Sequence, residues 1–201
     1  PGSESEFISV ADYPRQRFKQ HPWSIGGGGA AEVKELIEAT ADRQLGDAVE
    51  SIGFASFTGL DDAFILPAHA AKTLGIEEDV VRPMIVGESV RDWTMSTDEV
   101  AITPYDKETH QPLQYDERSK WGRFLWRYRT VANSVASFGG KSRGEEGQKW
   151  WSWYRWQKER YQAPLRIAFA EVATHNHFAL HRGGSVLKQT APILVLPGKA
   201  T

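Results

Sequence analysis

The chain reads as an α+β fold with mainly antiparallel strands and a few helices. Three observations carry that reading. Apolar residues recur at helical spacing over residues 30–43 and 118–137. Short β-branched and aromatic runs crowd residues 165–196. Between two of those runs stands Gly183-Gly184, which is hairpin chemistry.

Residues 1–29 form an irregular lead-in, and residues 30–201 are assigned to one domain. Pro1-Gly2-Ser3 reads as an expression scar, so the chain is expected to be a fragment of something larger. Four glycines at 26–29 precede the first helix. They suit an anion-binding turn at a helix N-terminus. They equally suit a flexible linker to an upstream domain, and the lack of a following Lys-Ser/Thr favours the linker.

In the first helix Val33, Leu36, Ile37 and Thr40 share one face. Residues 47–66 read as two short strands around a turn at Thr58-Gly59. Residues 67–75 read as a short helix, opened by Pro67 and closed by Gly75. Residues 81–86 and 100–104 are strand-like, with a loop over 87–93. The helix at 118–137 is expected to turn Phe124, Leu125, Tyr128, Val131 and Val135 toward a core. A glycine-opened loop follows at 138–144, then a second helix at 150–161. Strands at 165–173, 178–181, 186–189 and 193–196 close the chain as a meander.

With 40% hydrophobic and 11% aromatic residues, the 201-residue chain has ample material for a core and does not resemble a disordered protein. It has no cysteine, which excludes a disulfide framework and a thiolate metal site and suits a cytoplasmic protein. No apolar run approaches the ~18 residues a membrane span needs. No secretion signal is visible, so no membrane partner is expected.

Charge is strongly segregated. Residues 118–166 hold 12 of the 24 Lys+Arg with three acids, for a net +9, which leaves −11 on the remainder. The same segment holds six of the eight tryptophans. Such a footprint suits a surface that grips a polyanion. Within it, Lys141 and Arg143 sit among glycines that allow close backbone approach. Arginine suits guanine edges and phosphates alike. The plainer reading is an ordinary solvated loop, which Glu145 and Glu146 favour. Each indole buries roughly 150–250 Å², so most of these tryptophans are expected to be structural. The arginines are the better functional candidates.

Two motifs look like catalytic signatures and are set aside. His175-Asn176-His177 lacks the spread of a His-Asn-His nuclease, and no third ligand is evident, so no metal site is expected. Thr103-Pro104-Tyr105-Asp106 lacks the first polar residue and first proline of an Asn-Pro-Pro-Tyr motif. No nucleotide fingerprint, carboxylate pair or Ser/His/Asp set stands out, so no catalytic residue is assigned.

An ordered series of blocks, however, resembles a known family. It opens with Ile52-Gly53 and Phe57-Thr58-Gly59-Leu60-Asp61-Asp62-Ala63-Phe64, then Arg82-Pro83, Gly87-Glu88-Ser89-Val90-Arg91-Asp92-Trp93 and Pro104-Tyr105-Asp106. It continues through Leu125-Trp126, Tyr128-Arg129, Phe138-Gly139-Gly140 and the Trp-rich stretch. It ends with Arg166-Ile167 and Ala173-Thr174-His175-Asn176-His177-Phe178-Ala179-Leu180 before Gly183-Gly184. The series covers roughly residues 20–197. It is similar to the specificity domain of TaqI-like, gamma-class adenine-N6 DNA methyltransferases. The closest likeness is to fused restriction-modification enzymes (type IIG) and phage-defence methyltransferases of the PglX kind.

That resemblance implies a mixed α/β target-recognition domain that docks on double-stranded DNA and is not itself an enzyme. An upstream methyltransferase domain of the same chain would bind S-adenosylmethionine, and this fragment would hold no cofactor. Charge and loop position, rather than the resemblance, then point to Lys141, Arg143 and Arg129 as base-edge readers. Lys120, Arg123, Arg127 and Lys149 are expected to contact phosphates, which position rather than specify. The alternatives are a Trp-rich carbohydrate-binding module, whose indoles would form an exposed flat row, and a protein-docking module. The recognised DNA sequence and any nuclease activity of the parent stay open.

Overall fold

The computed structural model describes residues 2–10, 12–19, 21, 23, 29–136 and 140–198. Contacts divide the chain into two compact units, Pro1–Asp47 and Ala48–Thr201. The division falls later than position 29, and the first long helix goes with the lead-in.

In the first unit, β1 (Ser3–Glu4) and β2 (Ser9–Val10) pair antiparallel. A 3-10 turn at Arg15–Lys19 precedes α1 (Ala30–Thr40). The expected helix is there, but Val33, Leu36 and Ile37 are all exposed. Of the four glycines, Gly26, Gly27 and Gly28 lie outside the described residues, as do Pro1 and Pro22.

The second unit carries β3 (Ser51–Gly53), β4 (Ser56–Phe57), α2 (Asp61–Phe64), β5 (Ile65–Pro67), α3 (Ala68–Leu74) and β6 (Val81–Ile85). Then come β7 (Val90–Arg91), β8 (Thr94–Met95), β9 (Glu99–Ile102), α4 (Lys120–Trp126) and α5 (Arg129–Ser134). The last elements are β10 (Arg155–Trp156), α6 (Lys158–Gln162), β11 (Arg166–Phe169), β12 (Phe178–His181), β13 (Val186–Leu187) and β14 (Ile193–Val195). One four-stranded sheet has the order β12-β11-β14-β3, entirely antiparallel; the other has the order β13-β6-β9-β5. The fold is α+β. No described helix is long and apolar enough to cross a membrane.

Local chemistry accounts for the elements. α3 closes on Gly75, where the N–H of Gly75 reaches Lys72 O at 3.0 Å and that of Ile76 reaches Ala71 O at 3.1 Å. α4 opens on Ser119, whose Oγ accepts the Gly122 N–H at 3.0 Å. Glu77 crosses over to accept the N–H groups of Lys120 at 2.6 Å and Trp121 at 3.0 Å. Gly122 is required there, because a Cβ would lie 2.0 Å from Asp116 O. The strand β14 is buried along its whole length. In β11, buried residues alternate with half-buried ones at the two-residue period of a sheet. The core gathers Phe64, Met84, Ile102, Leu125, Trp153 and Ile193.

Four expectations are corrected. The second strand expected in 47–66 is the helix α2 followed by β5. The helix over 118–137 is two helices, with a tighter turn at Tyr128 N–H to Leu125 O, 2.9 Å, between them. That break shifts the phase, so Ala132 is buried and Val131 is 51% exposed. Residues 150–161 are not one helix; turns lead into β10 and then the short α6. Finally, β12 and β13 are not a hairpin. Gly183 and Gly184 do turn with φ of +101° and +83°, but β12 pairs with β11 while β13 pairs parallel with β6. Val186 and Leu187 are both fully buried, so β13 belongs in the interior rather than on an open hairpin edge.

Candidate functional site

The basic segment divides into an exposed helix face and a buried anchor. Lys120, Arg123 and Arg127 follow at i, i+3 and i+7, so α4 and its C-cap present them on one side, and all three are exposed. The Arg127 guanidinium lies 4.4 Å from the Phe124 ring centroid, and that of Arg129 lies 4.9 Å from Trp126. Both cations lie over aromatic rings while remaining exposed. Lys149 is half-buried, 5.6 Å from the Trp151 ring. Lys141 is exposed. Among the described residues, ion pairs with carboxylates involve Arg17, Lys34, Lys158, Lys188 and His177, and none involves these six cations.

Arg143 is a correction. It is 0% exposed and does not face solvent. Its guanidinium donates to the backbone carbonyls of Lys149, at 3.2 Å, and Ser152. Burial depresses its pKa. The local cause is a reciprocal turn: Glu145 accepts from Ser142 N–H at 2.6 Å and from Ser142 Oγ at 2.8 Å. With Arg143 N–H on Val135 O at 3.0 Å, the chain folds back on the end of α5 and carries the side chain inward. A signal is in the sequence, since Ser142-x-x-Glu145 has capping-box spacing. Phe138 and Gly139 of the expected loop lie outside the described residues.

The tryptophans of the segment are mainly scaffold. Trp151, Trp153 and Trp156 donate their indole N–H groups to the carbonyls of Leu113, Ile102 and His110 at 3.1, 3.0 and 3.0 Å. They stitch the irregular stretch onto the chain that leaves β9. Trp121 and Trp153 are buried, and Trp126 is the exposed one among the six at 52%. They form no exposed flat row, so the geometry offers nothing to a stacked sugar.

The fold also builds a cationic cleft of about 450 Å³ from parts remote in sequence. Arg82 comes from β6, Lys107 and His110 from the loop after β9, Arg166 from β11, and Arg182 with Gly183-Gly184 from the turn after β12. No Asp or Glu lines it. Arg166 is buried; its Nη1 donates to Arg160 O at 3.0 Å and Tyr161 O at 2.7 Å, while its Nε has no partner in the protein. Among the described residues the Arg82 side chain makes one hydrogen bond, to Tyr105 O at 3.4 Å. Burial depresses the pKa of both arginines.

Two histidines border this cationic ground. Burial, then Arg82 and Arg166, depress the pKa of His110. Burial, then Arg166, depress that of His181 to about 4, and its Nε2 lies 2.7 Å from Ser185 Oγ. His181 is therefore neutral at pH 7. The Nδ1 atoms of His110 and His181 are buried without a partner in the protein. Asp106 stands near enough to Arg82 and His110 to act on both, but makes no ion pair with either among the described residues, and half-dehydrated guanidinium groups of this kind suit an anion.

Sequence reasoning missed the cleft. Its cations are scattered singly through four segments and converge only in the fold, where β6, the loop after β9, β11 and the turn after β12 line one cavity. Arg82 stands alone before an apolar run, and Arg166, though it ends the basic segment, opens a strand and is not set apart by its neighbours.

The chain is 33% identical over 199 residues to the adenine-specific methyltransferase PglX of Streptomyces coelicolor. The match takes in 98% of this chain but only 16% of that protein's length. No family model matches. The chain is thus related to one region of a methyltransferase.

Proposed function

We infer, from that relationship and the cationic surfaces together, that the chain is the target-recognition domain of a DNA adenine-N6 methyltransferase of a phage-defence or restriction-modification system. The observation that carries the reading is the cleft: four guanidinium or ammonium groups around one cavity with no carboxylate among them. A DNA backbone supplies the missing anions. The exposed cations of α4 and α5 extend the same chemistry, each free of a carboxylate partner among the described residues.

In this reading Lys107 and Arg182 join Lys120, Arg123, Arg127 and Lys149 as phosphate contacts, and Lys141 and Arg129 remain the exposed candidates for base edges. Arg143 holds the loop that carries Lys141. S-adenosylmethionine and the methyl-transfer residues belong to a separate catalytic domain of the parent, into which the target adenine is flipped. The domain acts in the cytoplasm, where the DNA is.

Fluorescence anisotropy with a labelled duplex tests the reading. Affinity should fall steeply and log-linearly with salt, because each neutralised phosphate releases condensed counterions. Binding that ignores ionic strength, or no binding to any duplex at low salt, overturns it.

A further inference from the structure

The fold supplies what the His175-Asn176-His177 motif lacked. Asp92, at the tip of the β7–β8 hairpin, lies beside both histidines, and one ligand atom from each of the three residues falls within 4.8 Å of the others. We propose that Asp92, His175 and His177 form a binding site for one divalent transition-metal ion of the zinc class.

Three features of the geometry support it. First, His177 Nδ1 stands 3.6 Å from Asp92 Oδ1. Two ligand atoms in a tetrahedral zinc site with bonds of about 2.1 Å are about 3.4 Å apart, so this pair is already spaced for a shared cation. The Asp92 N–H approaches the same Nδ1 at 3.4 Å, a long contact that marks its lone pair and must give way when an ion binds there. Two acceptors facing each other leave a place for a positive charge.

Second, the imidazoles of His175 and His177 are gathered on one side, with ring centroids 4.1 Å apart. Thr174 Oγ1 lies 3.0 Å from His175 Nδ1 and can accept a hydrogen bond from it in the Nδ1–H tautomer, which leaves Nε2 as a free ligand. An outer hydrogen bond of this kind orients metal-binding histidines.

Third, the position of Asp92 is set by the two-residue turn of the β7–β8 hairpin. Asp92 and Trp93 hold φ of +46° and +71°, the left-handed region where a bulky residue is strained. That turn aims the carboxylate at the histidines while β12 packs against the hairpin. His177 is buried and fixed, whereas Asp92 and His175 are exposed and can close the remaining distance.

Two imidazoles and one carboxylate favour zinc over magnesium or calcium, which take oxygen ligands. Three protein ligands leave one position for water or a ligand atom. A bound ion would tie the hairpin tip to the start of β12.

The test is isothermal titration of the 201-residue chain with zinc chloride, with no DNA present, so its outcome is independent of the DNA reading. The expected result is one ion per chain. His175→Ala and Asp92→Asn should each weaken binding at least tenfold, while His69→Ala, on the exposed face of α3, should leave it unchanged. Both site substitutions are at exposed positions, and Asn tolerates the left-handed turn, so folding is preserved. Circular dichroism checks this. No zinc binding by the wild-type chain means that Asp92 and His177 simply lie side by side, and overturns the proposal. Undiminished binding by His175→Ala also overturns it.

Discussion

Lys107 and Arg182 offer the cleanest test of the cationic cleft. Both line it, both are exposed, and neither makes a hydrogen bond or ion pair with another described residue. The double substitution Lys107→Gln, Arg182→Gln removes two positive charges and breaks no internal contact. Stability should therefore stay within about 0.5 kcal/mol of the wild type. If each cation meets one phosphate, the slope of log K against log salt becomes shallower by about 0.9 per contact, or about 1.8 for the pair. Between 50 and 200 mM salt, a fourfold change, the wild type then loses roughly 12-fold more affinity than the variant. Anisotropy titrations with one duplex at four salt concentrations measure both slopes, and thermal melts confirm the fold. An unchanged slope with a normal melt would refute the assignment of the cleft to phosphates, even if the chain still bound DNA through α4 and α5.

Other outcomes follow from the packing. Arg143→Ala should destabilise the second unit by about 3 kcal/mol, because it orphans the Ser152 carbonyl and empties the volume of the side chain. Arg143→Met, which keeps most of that volume, should cost less. Urea melts decide, and an Ala variant as stable as the wild type would return Arg143 to the list of surface candidates. His181 titrates at about 4 in the fold, against about 6.5 in the unfolded chain. Between those values the unfolded state binds the extra proton, so stability falls as pH falls. The loss from this group is about 2 kcal/mol by pH 5 and levels off below pH 4. His181→Gln should flatten the denaturation profile over that window, and an unchanged profile would contradict the assignment. Trp93→Gly should raise stability by about 0.5–1 kcal/mol, since Trp93 is 80% exposed and held at φ +71°. A loss of stability would mean that the indole packs on something that holds the turn.

Local chemistry was readable wherever neighbours in sequence are neighbours in space. Pro67 and Gly75 bracket α3, and the strand 178–181 lies at the expected residues. The mainly antiparallel α+β class also follows from short strands interleaved with short helices. The Trp-rich stretch misled, because its apolar density serves carbonyls on the chain after β9 and does not form a helical stripe. Gly183-Gly184 turns the chain as its composition requires, but composition is silent on pairing, and β13 joins β6 across the molecule.

For function, the sequence by itself determined the charge segregation, the lack of a thiolate site and the ordered blocks that resemble a target-recognition domain. Only the tertiary structure decided which cations face outward. Arg143 and Lys141 are two residues apart in one loop, yet the Ser142–Glu145 turn buries the first and leaves the second exposed. Likewise Arg82, Lys107, Arg166 and Arg182 become one cleft, and Asp92 meets His175 and His177, only when two sheets and a hairpin are packed together. The physical reason is range. Turn and cap preferences act over a few residues of chain, whereas charges and ligands act through space and depend on contacts between segments as much as 100 residues apart.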